Sequence, residues 1–184
     1  MSARCLTPQT FPVAWTAEEL RRDEGWIYHL NPADIDALDA AVRGVLARGA
    51  TDTPFGREDF PLPGLTTELA RIMDVVENRQ GIGLIKGVPI ERYSRPELRV
   101  LYWGLSTHLG EAISQNSRGE MIASVIDRGN DHDDMNVRGY KTRAALAPHV
   151  DSCDMTTLLC LHNNAEGGDS LVSSSMMIYN RILE

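Results

Sequence analysis

Apolar residues recur at helical spacing in three stretches of the first 110 residues. In the first, Ile35, Leu38, Val42, Val45 and Leu46 follow Asn31-Pro32. That dipeptide supplies an N-cap side chain and a proline whose fixed φ suits the first helical position. Gly49 ends this helix. Residues 50–64 hold Pro54, Gly56, Pro61, Pro63 and Gly64, which is loop chemistry. Leu65, Leu69, Ile72, Met73 and Val76 then mark one face of a second helix, which stops near Gly81. Residues 83–88 (GLIKGV) form a short apolar run between glycines and predict a buried strand. Ser94 and Glu97 make a capping-box pattern around Pro96. The third helix they open carries Leu98, Leu101, Tyr102, Leu105 and Leu109, with Gly110 closing it. Ahead of all three, residues 1–30 mix apolar and polar pieces, where Trp15, Trp26 and Tyr28 suggest strand or packing segments.

Beyond residue 110 the pattern changes to short apolar runs. Residues 121–126, 156–161 and 171–173 predict strands, residues 127–136 a polar loop, and residues 175–183 the start of a helix. The order predicts an α+β chain in which helices flank a β-rich unit. One domain of 184 residues is expected, helix-rich over 1–110 and β-rich over 111–184.

Composition narrows the functional classes. The 26 acidic and 18 basic residues leave a formal net charge of -8. Nucleic acid is disfavoured as a partner, because phosphate binding needs clustered Lys and Arg. Three cysteines, Cys5, Cys153 and Cys160, are too few and too irregular for a disulfide framework. Cys160 lies in an apolar run and is expected in the core. Residues 1–11 lack the apolar run of a secretory signal, and no stretch reaches the roughly 20 apolar residues of a membrane span. The expectation is a protein of the cytoplasm without a membrane partner.

Two H-x-D patterns carry candidate chemistry. In a strand, residues i and i+2 face the same side, so an imidazole and a carboxylate can reach one metal. That donor pair suits a divalent ion such as Fe(II). His132-Asp133-Asp134 sits in RGNDHDDMN, a charged stretch that reads as a solvated loop. His149-Val150-Asp151 stands next to the apolar run 156–161, where a sheet would hold a ligand rigidly. Spacing alone leaves His149 and Asp151 open between metal binding and an ordinary Asp–His contact.

Residues 139–180 (GYKTRAALAPHVDSCDMTTLLCLHNNAEGGDSLVSSSMMIYN) add further features. The H-x-D pair, the apolar run after it and Gly167-Gly168-Asp169-Ser170 stand in the order and spacing of one family. The stretch resembles the taurine dioxygenase (TauD/TfdA) family of 2-oxoglutarate-dependent oxygenases. Leu109-Gly110 and the run from Met121 extend the likeness to about residues 80–184. The resemblance implies a double-stranded β-helix, the jelly roll, with iron at its mouth. It implies His149 and Asp151 as catalytic iron ligands, with 2-oxoglutarate as co-substrate and dioxygen as oxidant. Ser170 stands where the family has a hydroxyl that bonds the distal 2-oxoglutarate carboxylate, although after Gly-Gly it also reads as a turn residue. Gln115 lies near a histidine that contacts substrate in taurine-cleaving members, which argues against taurine here. Gln115 and Asn116 are candidates for substrate contact or, equally, loop amides bonded to backbone. Lys141 and Arg143 would attract an anionic substrate or stand as exposed charge.

The family's second iron-binding histidine and its carboxylate-pairing arginine lie far downstream of H-x-D, and family members are about twice as long. His162 follows a predicted strand near an Asn-Asn turn and reads as a surface histidine. About five or six candidate strands are also few for a jelly roll of ~8. The expectation is therefore a family domain incomplete at its C-terminus. Alone it would turn over weakly or not at all, and a homo-oligomer or complementing chain would be one source of further strands. The alternative is a non-catalytic fragment or interaction module with residual metal binding. A zinc hydrolase ranks last for want of a third ligand.

Overall fold

The computed structural model describes residues 6–49, 54–126, 145–163 and 166–184. His132, Lys141 and Arg143 lie outside the described residues. The chain forms two compact units, one of residues 1–110 with 160–184 and one of residues 111–159.

In the first unit the elements run α1 (Ala17–Arg22), β1 (Ile27–His29), α2 (Pro32–Ala47), α3 (Leu65–Asn78), β2 (Leu84–Lys86), α4 (Arg95–Ser106) and α5 (Ser175–Leu183). Short 3-10 turns, Glu24–Trp26, Arg57–Asp59 and Ile90–Arg92, link them. The caps explain most helix starts. Asn31 accepts from the Asp34 N–H at 3.1 Å, and the Asp34 carboxylate accepts from the Asn31 N–H at 2.9 Å. The same carboxylate oxygen accepts the Tyr28 hydroxyl at 2.8 Å, so this buried charge is satisfied and ties β1 to α2. At α4 the Glu97 carboxylate accepts from the Ser94 N–H at 2.7 Å. α1, whose place reads from sequence as strand or packing, opens on another capping box, Thr16 with Glu19. α4 ends at Ser106 rather than Gly110. There the Thr107 hydroxyl donates to the Gly104 carbonyl at 2.7 Å and the chain continues as a turn.

β1 and β2 pair in parallel, with Ile27 opposite Leu84 and His29 opposite Lys86. β2 is the strand that residues 83–88 predict. It is not buried as expected, since Leu84 and Lys86 are exposed and Ile85 is half-buried.

The core lies where α2, α3 and α4 meet. Leu38, Val42 and Val45 from α2, Leu65 and Leu69 from α3, and Val100, Leu101 and Leu105 from α4 pack with Phe60 and Leu62. The proline-rich loop contributes Phe60 as a fully buried side chain. Its ring covers Gly104, where a Cβ would overlap it. Around it, Phe55 stacks at 6.1 Å between centroids and Trp103 donates its indole N–H to the Phe55 carbonyl at 2.8 Å.

α5 docks on the segment before α1. Ser174, its buried N-cap, donates to the Val13 carbonyl at 2.7 Å and accepts from the Met177 N–H at 3.0 Å. The Asn180 amide donates to the Gln9 carbonyl at 2.7 Å and accepts from the Gln9 N–H at 2.8 Å.

The strands expected after residue 110 are not formed. Among the described residues β1 and β2 are the strands, so they show the α+β class without forming the strands of a jelly roll. Residues 156–161 keep a strand's alternation of exposed and half-buried side chains, with Leu158 at 75% exposure. A strand also needs a hydrogen-bonded neighbour, and the apolar pattern does not supply one. Cys160 falls on the outward side of that alternation, so it is exposed rather than in the core.

Two stability outcomes follow from this packing. Gly104→Ala gains about 1 kcal/mol of helix propensity but forces the Phe60 ring aside, an overpacking cost of about 1–3 kcal/mol. A net lowering of the urea midpoint is expected, and an unchanged or raised midpoint would contradict the close fit. The second concerns Tyr93, whose pKa is raised, first by burial and then by donation to the Asp39 carboxylate. The folded phenol therefore holds its proton to higher pH than the unfolded one. Its stabilising contribution is complete below the unfolded pKa of about 10 and declines as pH rises beyond it. Urea unfolding at about pH 9 and about pH 11 should show a steeper loss in the parent than in Tyr93→Phe.

Candidate metal centre

His149 and Asp151 belong to the second unit and lie in irregular chain, not in a strand. Local hydrogen bonds hold them instead of a sheet. His149 Nδ1 is 2.8 Å from the Ala147 carbonyl oxygen. A carbonyl only accepts, so Nδ1 carries the proton and Nε2 presents its lone pair when the ring is neutral. A bond of this kind to the other ring nitrogen is how proteins orient a metal-binding imidazole. On the other side of the pair, Asp151 Oδ2 accepts the Thr156 hydroxyl at 2.6 Å.

The two free donor atoms face one another. His149 Nε2 and Asp151 Oδ1 are 3.9 Å apart, too far for a hydrogen bond. A lone pair facing a carboxylate oxygen calls for positive charge, either a metal ion between them or a proton on Nε2. The donor set, one imidazole nitrogen and one hard oxygen, fits Fe(II) as two of its ligands. Both side chains are about half exposed, at 56% and 51%, so the pair is open to an incoming ion. Among the described residues no group of three or more His, Cys, Asp and Glu is placed to hold a metal.

The other residues singled out from the sequence are not gathered around this pair by any contact among the described residues. Ser170 is exposed and belongs to the first unit. Gln115 and Asn116 bond within their own turn. The Gln115 amide donates to the Ile113 carbonyl at 2.9 Å, and its N–H to the Glu120 carbonyl at 2.7 Å. Asn116 accepts from the Arg118 N–H at 3.0 Å and donates to the Glu120 carboxylate. His162 Nε2 is 3.3 Å from the Arg95 guanidinium, whose donors occupy the lone pair a metal would need. Thr156 is the contact that sequence reasoning missed. Residues i and i+5 share no face in a strand, so periodicity gives no hint of its bond to Asp151.

Residues 47–184 match the family described as taurine catabolism dioxygenase TauD, TfdA. An FR-33289 synthase of Streptomyces rubellomurinus is 31% identical over 179 residues, covering 96% of this chain and 52% of that protein. The taurine hydroxylase-like protein SAT17 of Stachybotrys chartarum is 25% identical over 179 residues, 94% of this chain and 46% of its own length. The chain thus spans about half the length of the curated relatives it matches. With the family match covering most of the chain and the H-x-D pair inside it, this protein belongs to the TauD/TfdA family.

Proposed function

We propose that His149 and Asp151 are two ligands of an Fe(II)- and 2-oxoglutarate-dependent oxygenase centre that hydroxylates a small molecule. The observation that carries this reading is the pair itself, with Nε2 freed by the Nδ1 bond to Ala147 and Oδ1 facing it at 3.9 Å. The family match across residues 47–184 supports it.

His149 binds as a neutral imidazole, and its bond to Ala147 fixes the tautomer that leaves Nε2 available. Asp151 offers Oδ1 as the anionic oxygen. When bound, iron supplies the oxidative chemistry in which one atom of dioxygen enters succinate, formed with carbon dioxide from 2-oxoglutarate, and the other enters the product. In this reading Ser170 donates its hydroxyl to the distal carboxylate of 2-oxoglutarate. Gln115 and Asn116 are assigned to the substrate side, where binding would require them to exchange their present turn bonds. In this reading the full centre is a jelly roll that also takes a second histidine and an arginine. The expected compartment is the cytoplasm. No helix among the described residues is long and apolar enough to cross a membrane.

The test is an anaerobic calorimetric titration with Fe(II). Saturable binding is expected for the parent chain, lost in His149→Ala and in Asp151→Ala and kept in His162→Ala. Equal binding by the first two variants, or none by the parent, would leave a non-catalytic module as the better account. Succinate release by the isolated chain is expected to be weak or absent, and turnover at the rate of a full-length relative would overturn that expectation.

A further inference from the structure

We propose that Thr156 is a positioning residue that sets how Asp151 presents itself to a metal, an inference that rests on reading His149 and Asp151 as ligands. Thr156 Oγ1 lies 2.6 Å from Asp151 Oδ2, a short bond of the kind an ionised acceptor makes. A carboxylate only accepts, so the hydroxyl hydrogen is committed to Oδ2. The other oxygen, Oδ1, is the one that faces His149 Nε2. Thr156 thus occupies one carboxylate oxygen and turns the other toward the imidazole. The carboxylate is thereby prepared to bind a cation through Oδ1 alone rather than through both oxygens.

The bond depends on the bend at residues 152–154, which carries the chain back so that position 156 meets position 151. Cys153, on that bend, has its sulfur 3.3 Å from Thr156 Oγ1 and 3.4 Å from the Met155 carbonyl. Because the hydroxyl hydrogen points at Asp151, the thiol is the only donor left for the Cys153–Thr156 contact. Threonine suits the position further because its branched Cβ limits χ1, leaving the hydroxyl few rotamers in which to stray. Nothing in this arrangement requires burial, and Thr156 is exposed, so replacing it should disturb the carboxylate more than the fold.

Co(II) serves as the probe, since its visible absorption reports coordination without turnover. The parent chain, Thr156→Val and Thr156→Ser are titrated with Co(II) by calorimetry and absorption, with Asp151→Ala as the ligand-loss reference. Removing an outer-shell partner typically costs about 10–100-fold in metal affinity, and a loss in that range is expected for Thr156→Val. Its absorption bands should also shift as Oδ2 becomes free to bind. Thr156→Ser should restore both affinity and spectrum. Parent-like affinity and bands in Thr156→Val would overturn the positioning role while leaving the ligand pair intact. Absence of Co(II) binding by the parent chain would overturn both. Thr156→Ala, which removes the same donor and adds no bulk, decides the matter if the valine variant folds poorly.

Discussion

Phe60 comes from a loop of prolines and glycines, yet no part of its side chain reaches solvent, and three helices meet around it. The contact is possible because Gly104 has no Cβ, which lets the ring lie against the backbone of α4. Its carbonyl is taken as well, with His108 Nε2 at 2.7 Å just beyond the end of that helix. The loop is therefore pinned to α4 through both its side chain and its main chain. Leu62 and Leu65 follow into the same core, and the start of α3 is placed by them. A glycine that costs helix propensity is retained where it admits an aromatic ring.

The candidate metal centre is organised on a different principle. His149, Asp151, Ala147, Cys153 and Thr156 fall within ten consecutive residues, and the bonds described among them each span five positions or fewer. A local arrangement of this kind forms without waiting for distant parts of the chain. It also leaves both the His149 and Asp151 side chains half exposed, whereas a sheet would have supplied walls. The geometry leaves His149 Nε2 and Asp151 Oδ1 facing one another on an open stretch of chain.

α2 and α4 were legible twice over, through the 3.6-residue apolar period and through their capping residues, whereas α3, which starts at Gly64 with no capping side chain, was legible from its period alone. Asn31 with Pro32, and Ser94 with Glu97, place the starts of α2 and α4 where the structure has them. α1 opens on the same kind of box, Thr16 with Glu19, beside tryptophans whose pattern suggests strand or packing segments. The runs 121–126, 156–161 and 171–173 misled because a strand depends on a neighbour that the run does not encode. The H-x-D spacing of His149 and Asp151 was legible, and the structure brings their Nε2 and Oδ1 to 3.9 Å. Ala147 and Thr156 were not legible, because their roles arise from a bend and two rotamers rather than from a period.

The amide exchange between Gln9 and Asn180 joins positions 171 residues apart in the chain. During synthesis the segment around Gln9 leaves the ribosome long before its partner exists. The α2–α3–α4 core can assemble in that interval, since its contacts lie within residues 38–105. Closing so long a loop carries its entropic cost only when α5 arrives. The docking of α5 is therefore a late event, a seam sewn after the cloth is cut, and until then residues 9–13 have exposed backbone donors and acceptors to offer.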